Sequence, residues 1–191
     1  MEFNEAFHWL LQGELRQHII LSLSQPLTAL QIAFKCNSTQ HRVSDEIRDL
    51  RVYELVECLN PDARRSRLYW TTTLGFRCRA SVAEIKGIAL ETISLPGTEW
   101  ELYGELLFNH RATVLRVLDG PMQPSQIKRR ARFLNPRVRM SANNARDVVK
   151  FFERMGVVRR LYLKGKRHAR FELTEMGRKF QDLLRRAESR P

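Results

Sequence analysis

Residues 141–158 read SANNARDVVKFFERMGVV, and the order of these eighteen residues decides the fold. Ser141 is a helix N-cap by type. Ala145, Val148, Val149, Phe152 and Met155 recur at the three- and four-residue spacing of one helical face, and Gly156 supplies a left-handed stop. Val157 to Leu163 then reads as a β-prone run, answered by Ala169 to Leu173 across the basic tip Lys164-Gly165-Lys166-Arg167-His168.

The same order occurs earlier in the chain. At an offset of 95 residues Arg16 meets Arg111, Ile19 meets Val114, Ile20 meets Leu115, Leu23 meets Leu118, Pro26 meets Pro121, and Gln31-Ile32 meets Gln126-Ile127. At an offset of 102 Asp45 meets Asp147, Ile47 meets Val149, Leu50 meets Phe152, Leu55-Val56 meets Val157-Val158, Tyr69 meets Phe171, Thr72 meets Thr174 and Gly75 meets Gly177. The second copy therefore carries a longer connection after its second helix, around Phe133 to Met140.

Each copy reads as helix, helix, helix, hairpin, helix. In the first, Leu11, Leu15, Ile19 and Leu23 predict one helix over Phe7–Leu23, stopped at Gln25-Pro26. Thr28 caps a second helix to about Cys36, and Asn37-Ser38 leads into a third with Val43, Ile47 and Leu50 inward. Leu55–Cys58 and Leu68–Thr71 form a hairpin, and a helix from Thr72 or Thr73 runs to about Gly87. Pro96-Gly97 breaks the chain, which places one domain at 1–97 and the other at 98–191. Thr98 and Glu101 make a capping box for a long helix to Leu118. Gly120-Pro121 ends it, Pro124 suits the first turn of the next helix, to about Phe133, and a last helix spans Thr174 to Ala187.

The 191 residues are 43% hydrophobic and 28% charged, with nine Gly and seven Pro, a globular composition with no disordered or collagen-like bias. No apolar run approaches membrane-spanning length, and the start carries Glu2 and Glu5 where a secretory signal needs cations. The expectation is a soluble, cytoplasmic, nucleoid-associated protein. Cys36, Cys58 and Cys78 are odd in number and widely spaced, giving neither a disulfide framework nor a zinc finger. Net charge is +12, and its distribution is uneven: 11 basic against 11 acidic residues over 1–97, 22 against 10 over 98–191. Residues 128–170 hold fifteen basic side chains and two acidic ones, Asp147 and Glu153. Mutual repulsion on that scale calls for a polyanion.

The stretch from Ser44 to Leu50 leading into Leu55-Val56, the Leu68 to Gly75 segment with its Thr-x-x-Gly ending, and their counterparts Asn144 to Phe152, Val157-Val158 and Phe171 to Gly177 resemble winged helix-turn-helix domains. The chain is similar to two such domains in tandem, of the kind found in MarR- and ArsR-type transcription regulators, a mainly α fold with short β-hairpins (α+β). The resemblance implies a third helix entering the DNA major groove and a hairpin tip, the wing, touching backbone or minor groove. In domain 2 it implies that Ser141, Asn143, Asn144, Arg146 and Lys150 face double-stranded DNA, with Asn and Arg suited to base readout. Lys164, Lys166, Arg167 and His168 on the wing, Lys128, Arg129, Arg130 and Arg132 on the second helix, and Arg137 and Arg139 in the loop would neutralise phosphates.

In domain 1 the third helix presents Thr39, Gln40, His41, Arg42, Asp45 and Arg48, with Glu46 and Asp49 nearby, and the wing carries Arg64, Arg65 and Arg67. Weak DNA binding, protein binding and homodimerisation all stay open for it. The five histidines lack metal-ligand spacing, and neither a phosphate-binding glycine loop nor a nucleophile motif is present, so neither metal, cofactor nor catalysis is expected. Cys36 reads as a packed small residue rather than a redox sensor. Phe133, Phe152, Tyr162 and Phe171 read as core, with Phe151 the exception. The function expected is a sequence-selective regulator of transcription. The alternatives are a plasmid or phage replication initiator and a chromosome-organising, protein-gripping pair of winged helices.

Overall fold

The computed structural model describes residues 2–91, 98–162 and 168–189. It is mainly helical, with two small antiparallel sheets. Packing divides the chain into two units, Met1–Gly104 with Ala187–Pro191, and Glu105–Arg186. The boundary read from sequence, between residues 97 and 98, lies a few residues ahead of this division.

In the first unit α1 (Phe3–Leu11) and α2 (Glu14–Ser22) precede β1 (Leu27–Thr28), α3 (Ala29–Lys35) and α4 (Gln40–Val52). Then come β2 (Val56–Cys58), β3 (Leu68–Thr71) and α5 (Thr73–Lys86). The single helix expected over Phe7–Leu23 is two. Gly13 takes an extended backbone (φ −127°, ψ 115°) and serves as the N-cap of α2, because glycine gives up more conformational freedom in a helix than any other residue. Leu10, Ile19, Ile20 and Leu23 enter the core with Ile32, Val43, Ile47 and Leu50, while Leu11 and Leu15 lie half-buried against it. The strands run in the order β1-β3-β2.

α6 (Trp100–Leu106) and α7 (His110–Val117) replace the long helix expected to Leu118. The interruption is at Asn109, whose φ of 52° and ψ of −127° together lie outside both the right-handed and the left-handed helical regions. The second unit continues with α8 (Pro124–Leu134), α9 (Ala142–Arg154), β4 (Val158–Leu161), β5 (Arg170–Leu173) and α10 (Glu175–Glu188).

The repeat in sequence is a repeat in structure. α4 and α9 stand 102 residues apart at both ends, as do α5 and α10. Leu27 pairs with Tyr69 in the first sheet, and Met122, 95 residues after Leu27, bridges Phe171, 102 residues after Tyr69. Thr72 Oγ1 donates to the Glu54 carbonyl at 2.5 Å and accepts from the Gly75 N–H at 3.0 Å. Thr174 does the same with Gly156 at 2.7 Å and Gly177 at 3.2 Å. A Cβ at Gly75 or Gly177 would run into the carbonyl oxygen of Leu55 or Val157, so the Thr-x-x-Gly ending is where the last helix crosses the chain entering the hairpin.

A buried polar side chain on that helix also recurs. Gln181 Nε2 donates to the Leu115 and Leu118 carbonyls at 2.6 and 2.9 Å, closing the end of α7, where helical carbonyls lack partners. Its counterpart 102 residues earlier, Arg79, donates to the carbonyls of Leu21 at 3.4 Å and Glu91 at 3.1 Å. Burial lowers the Arg79 guanidinium below its ordinary value.

Candidate nucleic-acid interface

Helix α9 is fixed at its start by a reciprocal cap. Ser141 Oγ accepts from the Asn144 N–H at 3.0 Å, and Asn144 Oδ1 accepts from the Ser141 N–H at 2.9 Å. Ser141 Oγ also donates to Asn144 Oδ1 at 2.7 Å. Two side chains expected to read bases thus hold the helix end, and the Asn144 acceptor is already engaged. Ala145, Val149 and Phe152 are buried. The opposite stripe, Asn143, Arg146, Asp147, Lys150 and Arg154, is exposed, and Arg146 donates to Asn143 Oδ1 at 2.9 Å.

Arg146 and Lys150 open into a cleft of about 330 Å³, which Pro124 and Ser125 at the start of α8, Ala142, Arg160 on β4, and His168 and Ala169 beside β5 also line. The first turn of α8 brings the positive end of a helix dipole to the same place, while Pro124 has no N–H and those of Gln126 and Ile127 are taken by the Gln123 carbonyl. Arg160 is oriented by Glu153 at 2.6 Å and the Tyr162 hydroxyl at 3.2 Å. These bonds, Tyr162 first, hold its guanidinium above its ordinary value. The sequence reading passed over Arg160. It stands directly across from Phe171 in the β4–β5 register, and that pairing was the signal available.

Helix α8 separates the cations that sequence had grouped. At 100° per residue, Ile127 and Ala131 face the core, and Lys128 and Arg132 share a flank with Ser125. Arg130 falls on the other flank with Gln126 and Phe133, Arg129 falls on the outward ridge between the flanks, and both line a second groove. Arg130 is ion-paired with Asp119. Arg137 and Arg139 are exposed between α8 and α9. Among the described residues no ion pair engages Lys128, Arg129, Arg132, Arg137, Arg139, Arg146 or Lys150. Lys164, Lys166 and Arg167 lie outside the described residues; His168 is exposed.

Two aromatics depart from the core expectation. Phe133 is 85% exposed and Tyr162 78%, whereas Phe152 and Phe171 are buried. Phe133 lies six residues, and so about 240°, from the inward Ile127, a position the helical period places outside. Phe151 is half-buried under the Arg111 guanidinium, 3.9 Å from its ring centre.

The equivalent surface of the first unit differs in kind. Gln40, His41 and Arg42 are exposed at the start of α4. Asp45 lies 3.6 Å from His41 and 3.1 Å from Arg48, and Glu46 lies 3.5 Å from Arg16 of α2, so two acids of this helix are engaged within the unit. On α3, Leu30 and Phe34 are exposed where the second unit has Ser125 and Arg129. Arg64, Arg65 and Arg67 are exposed on a fixed hairpin connection: the buried Asn60 accepts from the Leu68 N–H at 2.7 Å and donates to the Ser66 carbonyl at 3.3 Å. Arg67 Nε donates to the Ala63 carbonyl at 3.0 Å.

Among the described residues no cluster of His, Cys, Asp and Glu could hold a metal ion, and no helix is long and apolar enough to cross a membrane. The three thiols are free, with Cys36 half-buried and raised above its ordinary value by burial. No protein-family model, curated protein or solved structure matches the chain.

Proposed function

We propose that this chain is a sequence-selective double-stranded DNA-binding protein that regulates transcription, built of two tandem winged helix-turn-helix domains. Domain 2 makes the principal contact. Helix α9 would enter the major groove, the β4–β5 hairpin would be the wing, and the first turn of α8 would meet the sugar-phosphate backbone. The observation that carries this reading is the cleft: Arg146, Lys150, Arg160 and His168 converge from a helix and a hairpin on the N-terminus of α8. Arg146 and Lys150 there have no ion pair among the described residues, Arg160 is held in place by Glu153, and the positive end of the α8 dipole lies at the edge.

Asn143 belongs to the base-facing stripe, and Arg146 and Lys150 beside it open into the cleft, where they would neutralise the phosphates met by the first turn of α8. Lys128, Arg132, Arg137, Arg139 and the wing residues Lys164, Lys166 and Arg167 supply phosphate contacts. Ser141 and Asn144 act mainly by fixing the helix that presents the others.

The deciding experiment is selection of bound sequences from a random duplex pool at moderate salt. A recovered consensus supports the reading and gives half-site number and symmetry. Retention without enrichment, or no retention, overturns sequence-selective binding. Mapping the consensus to promoters or to an origin of replication separates a regulator from an initiator. For domain 1 a protein-contacting role is favoured by Leu30 and Phe34, which put apolar side chains where domain 2 places a hydroxyl and a guanidinium.

A further inference from the structure

The cleft occupies one flank of α8, and the other flank carries a groove with a different chemistry. Met122, Gln126, Arg129, Arg130, Phe133 and Leu134 enclose about 680 Å³ there, and Phe133 and Leu134 are 85% and 55% exposed. We propose that this groove docks an acidic amphipathic helix of a partner protein, independently of the nucleic-acid surface.

Three observations carry the assignment. First, the groove shares no lining residue with the cleft. The row Gln126, Arg130 and Phe133 is turned roughly 130° about the α8 axis from Ser125, Lys128 and Arg132, so a duplex seated on α9 leaves it open. Second, the fold does not require the apolar side chains. The offset between repeats grows from 95 to 102 across this part of the chain. α3 ends at Lys35, the counterpart of Arg130, whereas α8 runs on to Leu134. The added turn therefore carries Phe133 and Leu134, and the first unit packs without any equivalent.

Third, the charges select the occupant. Arg129 and Arg130 line the apolar floor; Arg130 is held by the Asp119 carboxylate, and Arg129 remains to take one from a partner. A second copy docking by two-fold symmetry would set these arginines against themselves. A helix with apolar anchors at i, i+3, i+4 and i+7 and carboxylates beside them matches both the floor and the rim.

The test uses the full chain and a fluorescent synthetic helix with leucines at those positions and glutamates elsewhere, followed by anisotropy at physiological salt. The control is a peptide of the same composition, scrambled to destroy the apolar face. The designed helix is expected to bind at least about tenfold tighter than the scrambled one. Phe133→Ser with Leu134→Ser should abolish that difference, as loss of a central apolar anchor does, while duplex affinity stays within about twofold. Arg129→Glu should weaken the designed helix and not merely the scrambled control. Because Ile127 and Ala131, not Phe133, face the core, the double variant should keep wild-type melting.

Equal binding of both peptides overturns the proposal. So does a matching loss of duplex affinity in the double variant, which would give the groove to nucleic acid. Self-association, or adsorption to phosphatidylserine vesicles, that disappears in the double variant overturns it in favour of a second copy or a lipid surface.

Discussion

Replacing Arg146 and Lys150 together with alanine removes two cations from the cleft and leaves the buried face of α9, Ala145, Val149 and Phe152, untouched. Binding to duplex DNA releases counterions in proportion to the phosphates neutralised, with a log–log salt slope of about −0.9 per contact. Two contacts fewer should flatten the slope by about 1.8. Between about 50 and 200 mM monovalent salt, a fourfold rise, the wild-type protein should lose about 12-fold more affinity than the double variant. The informative control is Arg129→Ala with Arg130→Ala. It removes the same formal charge from the neighbouring helix, but at two side chains that line the other groove and not the cleft. Its slope should stay within about 0.5 of wild type. Anisotropy titrations of one duplex across a salt series measure both. If the two double variants flatten the slope equally, the cations act as a diffuse cloud, and the division of α8 into two faces is wrong.

Asp147 stands exposed between Arg146 and Lys150, so Asp147→Asn should tighten binding to random duplex several-fold at low salt by removing a charge that repels phosphate. Ser141→Ala should lower the stability of the second unit by about 1 kcal/mol through loss of the cap, and Asn144→Ala by a similar amount, both visible in urea denaturation before any effect on specificity is interpreted. Gln181→Met keeps the side-chain shape but strips the donors from two buried carbonyls; at about 1–3 kcal/mol for each group left unpaired it should cost more than either cap, and a variant as stable as wild type would refute the clamp. Burial pushes the Cys78 thiol up to about 11 from 9.0, so the folded state holds a proton that the unfolded chain releases. Its contribution is intact below about pH 9 and drains away as pH rises towards 11, a loss that Cys78→Ala should flatten in alkaline denaturation.

What the sequence made legible is what caps, stops and period-three-to-four spacing encode. Ser141, Gly156 and Gly87 mark helix ends by types that the backbone at those points requires, and the Gly75 and Gly177 contacts require the Thr-x-x-Gly ending. The breaks at Gly13 and Asn109 were hidden because the apolar spacing on either side continues across them, so a single misplaced dihedral leaves almost no trace in the pattern. Strand β1 and the Met122 bridge were missed for a similar reason: one or two residues beside a proline are too few to show alternation. At the candidate interface the residue types were legible and their orientation was not. Four consecutive-looking cations on α8 point to two faces, and the reciprocal Ser141–Asn144 cap takes up side chains whose chemistry alone suggested bases. Phe133 was assigned by its type, although its angular distance from Ile127 already placed it outside.

The amide of Asn60 fastens the connection between β2 and β3 before any partner arrives, and 102 residues later the same register position holds the solvent-facing Tyr162. A ligand meeting the first hairpin would therefore find Arg67 on a backbone already held and would forfeit little main-chain entropy on binding. Recognition there should be fast and governed by shape, so that a ligand whose charges are spaced differently gains nothing from the loop adapting to it.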